Sequence, residues 1–207
     1  MKKILISVFS GALILLFSTF SLAQEHKKSS WYIGFGLGTG DGAWEVNGEE
    51  VTFNEWFEGV STSPRVTFNI GIGGIVNPKL HVGFEGSGIR QEGDGEIYGY
   101  GVEGNVQINN YLAALTYFPN GEGFFLKAGA GLSSIRYEIS TSIYSSVVSV
   151  SESYSGTALL GGLGYAFWVG KHFNLCINAD YSVQNYTDDE APDTSHFWNL
   201  YLSFYWF

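Results

Sequence analysis

Three charged residues stand out because of where a strand pattern puts them. Glu85, Lys127 and Asp180 each fall among small and polar residues that alternate with large apolar ones. Side chains alternate faces along a strand, so all three turn away from the apolar face. A charge held inside a protein must be paired or hydrogen-bonded. Asn174 and Asn178 share the parity of Asp180, and Asn69, His81, Ser182 and Gln184 have matching positions. Together they can form a buried polar network. Such a network is either a structural filling or a path for protons or ions, and a narrow interior favours the filling.

Other chemistry is harder to assemble. A serine nucleophile needs a histidine within hydrogen-bond reach. Ser195 and His196 are adjacent, and neighbours in a strand point to opposite faces. His26 and His172 lie at the opposite end from the Ser-rich segments, and His81 is on the inner parity. No catalytic residue is therefore assigned. Gly34-Phe35-Gly36 and Gly71-Ile72-Gly73-Gly74 resemble phosphate loops only in composition, because they lie in strands with no following helix. Cys176, the single cysteine, is expected to be an inert inward thiol. Asp188-Asp189-Glu190 lacks the spacing and central glycine of a calcium loop, so a metal site stays undetermined. No cofactor is expected.

The elements that must hold these residues are strands. In Phe173–Gln184 the odd positions are Phe, Leu, Ile, Ala, Tyr and Val, and the even ones Asn, Cys, Asn, Asp, Ser and Gln. The same period runs through 31–38, 66–73, 80–85, 124–133 and 158–169. The segment 106–118 is extended with mixed parity, which suggests a bulge or twist. His196–Phe207 is aromatic on both faces, and its parity stays open. The reading is an all-β, eight-stranded antiparallel up-and-down barrel. The apolar face carries no charge in the six patterned strands, whereas the other carries Glu85, Lys127 and Asp180. The apolar face therefore points out into lipid, making the barrel transmembrane; a soluble barrel would reverse this.

Connections alternate in length. Asn77-Pro78-Lys79, Pro119–Gly123 and Gly170-Lys171-His172 are tight turns. The links 39–63, 91–101, 138–154 and 185–195 are long, and with their margins they hold sixteen of the twenty acids. Short turns at one end and long loops at the other mark outer-membrane barrels. The segment 139–155, rich in Ser and Val, is expected to continue as a hairpin above the membrane. Aromatics gather at the short-turn end, among them Trp31, Tyr32, Tyr117, Phe118, Phe124, Phe125, Phe167, Trp168, Phe173 and Tyr205-Trp206-Phe207. They are expected to form an interfacial girdle. Arg65, Arg90 and Arg136, at the outer strand ends, are expected to pair with loop acids or lipid phosphates.

Composition agrees. Glycine is 28 of 207 residues, aromatics are 17% and charged residues 14%, which excludes ordinary disorder and helical bundles. Residues 1–23 have a basic start, an apolar run and small residues before Gln24, as a cleaved signal peptide has. An uncleaved anchor is the rival reading, and no cysteine supports a lipid anchor. The expected mature domain is 24–207. It keeps eight basic residues and all twenty acidic ones, a formal charge of −12 that excludes nucleic acid as a partner.

The signal peptide, eight strands, loop asymmetry and terminal Tyr205-Trp206-Phe207 together resemble the small outer-membrane β-barrels of the OmpA, OmpX and OmpW type. The resemblance implies residence in the cell outer membrane of a Gram-negative bacterium. It also implies Tyr205 and Phe207 as part of a C-terminal signal read by the barrel-assembly machinery. Implied partners are outer-membrane lipid and glycolipid, and an extracellular partner through the long loops. The implied role is structural or surface-interacting, not enzymatic. The alternative is a narrow channel or conduit for ions or small hydrophobic molecules.

Overall fold

A computed structural model describes residues 30–97, 100–143, 146–188 and 190–207. The expected signal peptide, and Asp189, lie outside them. Ten strands and one short helix occur among the described residues: β1 (Trp31–Val46), β2 (Glu49–Thr52), α1 (Phe53–Trp56), β3 (Ser61–Thr62), β4 (Val66–Asn77), β5 (Leu80–Ile97), β6 (Tyr100–Tyr117), β7 (Phe124–Ile143), β8 (Ser146–Gly170), β9 (Phe173–Tyr186) and β10 (Thr194–Trp206). Eight of the strands form an antiparallel ring in which β1 pairs with β4, β4 to β10 each pair with the next, and β10 pairs back onto β1 from Ile33↔Trp206 to Glu45↔Thr194, closing the barrel. The short β2 and β3 lie outside the ring, on β1 and β5.

The alternating pattern sorts as expected. Phe84 is 70% exposed and Leu37 63%, whereas Glu85, Lys127 and Asp180 are 6%, 5% and 4% exposed. Trp31, Ile33, Phe35, Leu37, Ile70, Ile72, Leu163, Leu200 and Leu202 complete an outward apolar belt that a lipid surrounding accommodates. No helix among the described residues is long and apolar enough to cross a membrane. The crossing is made by strands, whose ladder satisfies every backbone group within a closed barrel.

Three expectations change. The segment 106–118 has no bulge, since β6 pairs in unbroken register with both neighbours. Its parity looked mixed because Val106, Ile108 and Leu112 are apolar yet point inward. The irregularities fall instead beside two tight turns, at 75–77 and 168–170. Three of the four long links, 39–63, 91–101 and 138–154, are also largely strand among the described residues. At about 3.4 Å per residue, the 25-residue β8 far exceeds the roughly 25 Å apolar band of such barrels. Ladder bonding does not depend on what the outward side chain is, so pairing continues into Ser- and Glu-rich sequence. This matches the expected hairpin over 139–155. Finally, the open parity of the last strand resolves: Ser195, Phe197, Asn199, Tyr201, Ser203 and Phe207 face inward, and Trp198, Leu200, Leu202, Phe204 and Trp206 face outward.

The tight turns follow their chemistry. The Lys79 N–H donates to Asn77 Oδ1 at 2.9 Å. Gly121 and Gly123 sit at φ 82° and 73°, a region that disfavours other residues.

Candidate functional site

The interior is layered. At mid-height, Lys127 Nζ lies 2.7 Å from Glu85 Oε1, 2.6 Å from Asp180 Oδ2 and 2.6 Å from the Tyr201 hydroxyl oxygen. The Tyr201 hydroxyl donates to Asp180 Oδ2 at 2.6 Å, and Asn69 Nδ2 donates to Glu85 Oε1 at 2.7 Å. One buried ammonium thus faces two carboxylates from different strands. Asn178 joins beside this centre, donating to Ser203 Oγ at 2.8 Å. Asn174 lies nearer the short-turn end, lining a small cavity with Cys176, Tyr205 and Phe207. Tyr201 is the member that sequence reasoning missed, because the parity of its strand was open. Gln184 forms a separate group, accepting from Ser195 Oγ at 2.7 Å, with the Tyr186 hydroxyl 2.8 Å from the same Ser195 oxygen.

Below this layer, at the short-turn end, the lumen is filled by aromatic rings. His81 belongs here and not to the ion network: its ring lies 4.8 Å from Phe118, 5.6 Å from Tyr32 and 5.9 Å from Phe207. Phe118 and Phe125 meet at a tilt with centroids 5.2 Å apart, and Trp168 and Phe207 likewise at 5.4 Å. The expected girdle is therefore two-sided. Trp31, Tyr117, Phe124 and Trp206 face outward, while Tyr32, Phe118, Phe125 and Phe207 turn in and close the barrel. Adjacent aromatics in one strand must divide in this way.

Above the ion layer the lumen is filled again, by Trp44, Phe53, Phe57, Ile89, Val106, Ile108, Ile135, Tyr186 and Phe197. Phe53 enters from α1, whose start is a capping box: the Glu55 N–H donates to Thr52 Oγ1 at 3.2 Å, and the Thr52 N–H donates to Glu55 Oε2 at 2.8 Å. The Thr52 N–H and the Thr52 hydroxyl, both donating to Glu55 Oε2, hold the Glu55 carboxyl below its ordinary pKa. Arg65 fastens the helix to the barrel. It pairs with Asp41 at 2.5 Å, donates to Gln91 Oε1 at 2.7 Å and to Asn54, and lies 5.7 Å above the Phe53 ring. Arg90 and Arg136 pair with Glu92 at 2.5 Å and Glu138 at 3.4 Å. The sequence-level signal for this cap is Thr52-x-x-Glu55, inside the long link 39–63.

Ser195 faces inward and its neighbour His196 lies on the opposite parity, so the pleat separates them. No group of three or more His, Cys, Asp or Glu among the described residues is arranged to hold a metal ion.

The model of the family described as outer membrane protein beta-barrel domain matches residues 10–205. Among solved structures, Ail, the attachment invasion locus protein of Yersinia pestis, is similar in fold. In complex with the heparin analogue sucrose octasulfate it gives a TM-score of 0.58 at 15% identity, covering 86% of this chain and 100% of that one. Ail alone gives 0.54 at 16% identity over the same shares. Neisserial surface protein A gives 0.45 at 12%, covering 86% and 97%. No curated protein matches.

Proposed function

Since the chain belongs to the outer membrane β-barrel family and resides in the cell outer membrane, we propose that it is a non-conducting, non-catalytic barrel with a structural and surface-interaction role. One observation carries this reading: the lumen is filled by apolar side chains both above and below a buried ion network. A path for ions would have to cross two desolvated layers, each costly to a charge. Glu85, Lys127, Asn174, Asn178 and Asp180 then act as a structural filling.

What remains available is the outer end. The β5–β6 and β7–β8 hairpins extend past the apolar belt and carry Glu92, Asp94, Glu103 and Glu152. The pairing of β8 with β9 begins at Gly156, so the edge of β8 from Ser146 to Ser155 is open on that side to strand addition. Ail was solved with a polyanion, whereas this acid-rich end favours a cationic partner. Tyr205 and Phe207 supply the C-terminal signal to the assembly machinery.

The test is planar-bilayer conductance of the refolded protein. We expect no stable stepwise openings; steps of porin size would overturn the reading.

A further inference from the structure

The outer end contains a cleft that the filling of the barrel does not use. Trp44, at the outer end of β1, is buried with its indole 5.3 Å from Phe53 in an edge contact. The capping box sets the single turn of α1, which delivers Trp56 beside it. The rings of Trp44, Trp56 and Tyr137 stand in a triangle, with centroids 5.6, 5.6 and 5.4 Å apart. Trp56 remains 39% exposed. Together with Tyr154 and the apolar walls of Ile139 and Val150, these rings bound a cavity of about 250 Å³.

Two carboxylates line the same cavity, Glu152 and Glu190, and no basic side chain does among the described residues. The Tyr154 hydroxyl donates to Glu152 Oε2 at 2.9 Å, which orients that carboxylate. The cleft therefore offers aromatic faces and two anionic acceptors, with Trp44 of the apolar filling as its inner wall.

We propose that this cleft binds a guanidinium group carried on an apolar stem, such as an arginine side chain of an extracellular peptide. A guanidinium is planar and weakly hydrated, so it stacks on aromatic rings while its edge donates to carboxylates. Its stem packs on Ile139 and Val150. A carboxylate or sulfate ligand would meet Glu152 and Glu190 with like charge. A neutral apolar ligand would leave both carboxylates unused. The same chemistry already operates beneath the cleft, where the Arg65 guanidinium covers the Phe53 ring. The inference goes beyond the surface-interaction role, because it concerns one ligand group in one cleft and does not require the hairpins to bind a macromolecule.

The test is titration of the full-length refolded protein in micelles, following the tryptophan indole N–H resonances by NMR. The probe is N-acetyl-arginine amide, and the control is N-acetyl-citrulline amide, which has the same shape without the charge. We expect saturable shifts of the Trp56 indole with arginine, at least tenfold weaker binding of the citrulline compound, and weakening in high salt. The double variant Glu152→Gln/Glu190→Gln, which retains the rings, is expected to lose at least fivefold in affinity. Equal binding of the uncharged control to the wild-type protein would overturn the proposal. So would unchanged affinity in the double variant.

Discussion

Lys127 and Asp180 form an ion pair across an intervening strand because the residue between them has no side chain. In the ladder Lys127 pairs with Gly162, and Gly162 pairs with Asp180. A Cβ built on Gly162 would collide with the Asp180 carboxylate. The glycine opens the gap that lets an ammonium on β7 reach a carboxylate on β9. The small residues of the inner face are thus part of the electrostatic design as well as a fit to a narrow interior.

Removing the ammonium leaves two buried carboxylates unpaired. Lys127→Met is expected to destabilise the barrel by about 3–5 kcal/mol, the usual cost of breaking a buried ion pair from one side. The triple variant Lys127→Met/Glu85→Gln/Asp180→Asn is expected to recover most of that loss. Urea unfolding, read by heat-modifiable gel migration, checks both. Equal stability of Lys127→Met and wild type would remove the network from the list of stabilising features.

The cap of α1 depends on pH in a direction set by Glu55. Its carboxyl is held below the ordinary value by the Thr52 hydrogen bonds. The contribution is complete above the ordinary carboxylate range and is lost as pH falls through the lowered value. Amide exchange at Thr52 and Glu55 is expected to accelerate on acidification in the wild type. Glu55→Gln retains a neutral capping partner, so its exchange is expected to show little extra acid sensitivity.

Phe207 separates packing from assembly. Its ring lies inside the barrel, 5.4 Å from Trp168 and 6.3 Å from Tyr32, and its N–H donates to the His172 carbonyl at 2.9 Å. Phe207→Ala is expected to lower the stability of the refolded barrel through lost packing, and to lower the amount inserted in cells by a larger factor if the C-terminal signal is read there. Phe118→Ala, which thins the same aromatic layer, provides the comparison. If the two variants insert equally well in cells, Phe207 has no role beyond packing.

Strand number, inward charges and short turns were legible because each is local. Two-residue periodicity in 173–184, the proline or glycine at each turn, and the isolated charges at 85, 127 and 180 need no knowledge of a partner strand. In 106–118 the same periodicity misled. Val106 and Ile108 look lipid-facing in isolation, but they belong to an apolar filling contributed by six strands and α1. An inward apolar residue and an outward one have the same sequence signature.

Sequence alone determined which face of most strands is apolar, that the charges oppose it, and that the chain closes as a membrane-crossing barrel. Alternation is imposed by the pleat, and lipid tolerates only one assignment of the two faces. The tertiary structure decided which residues meet. The contact of Lys127 with Asp180 over Gly162, the inward turn of half the terminal aromatics, and the gathering of Trp44 and Trp56 with the distant Tyr137 all depend on barrel register and curvature. Those are properties of the closed ring, and no single strand encodes them.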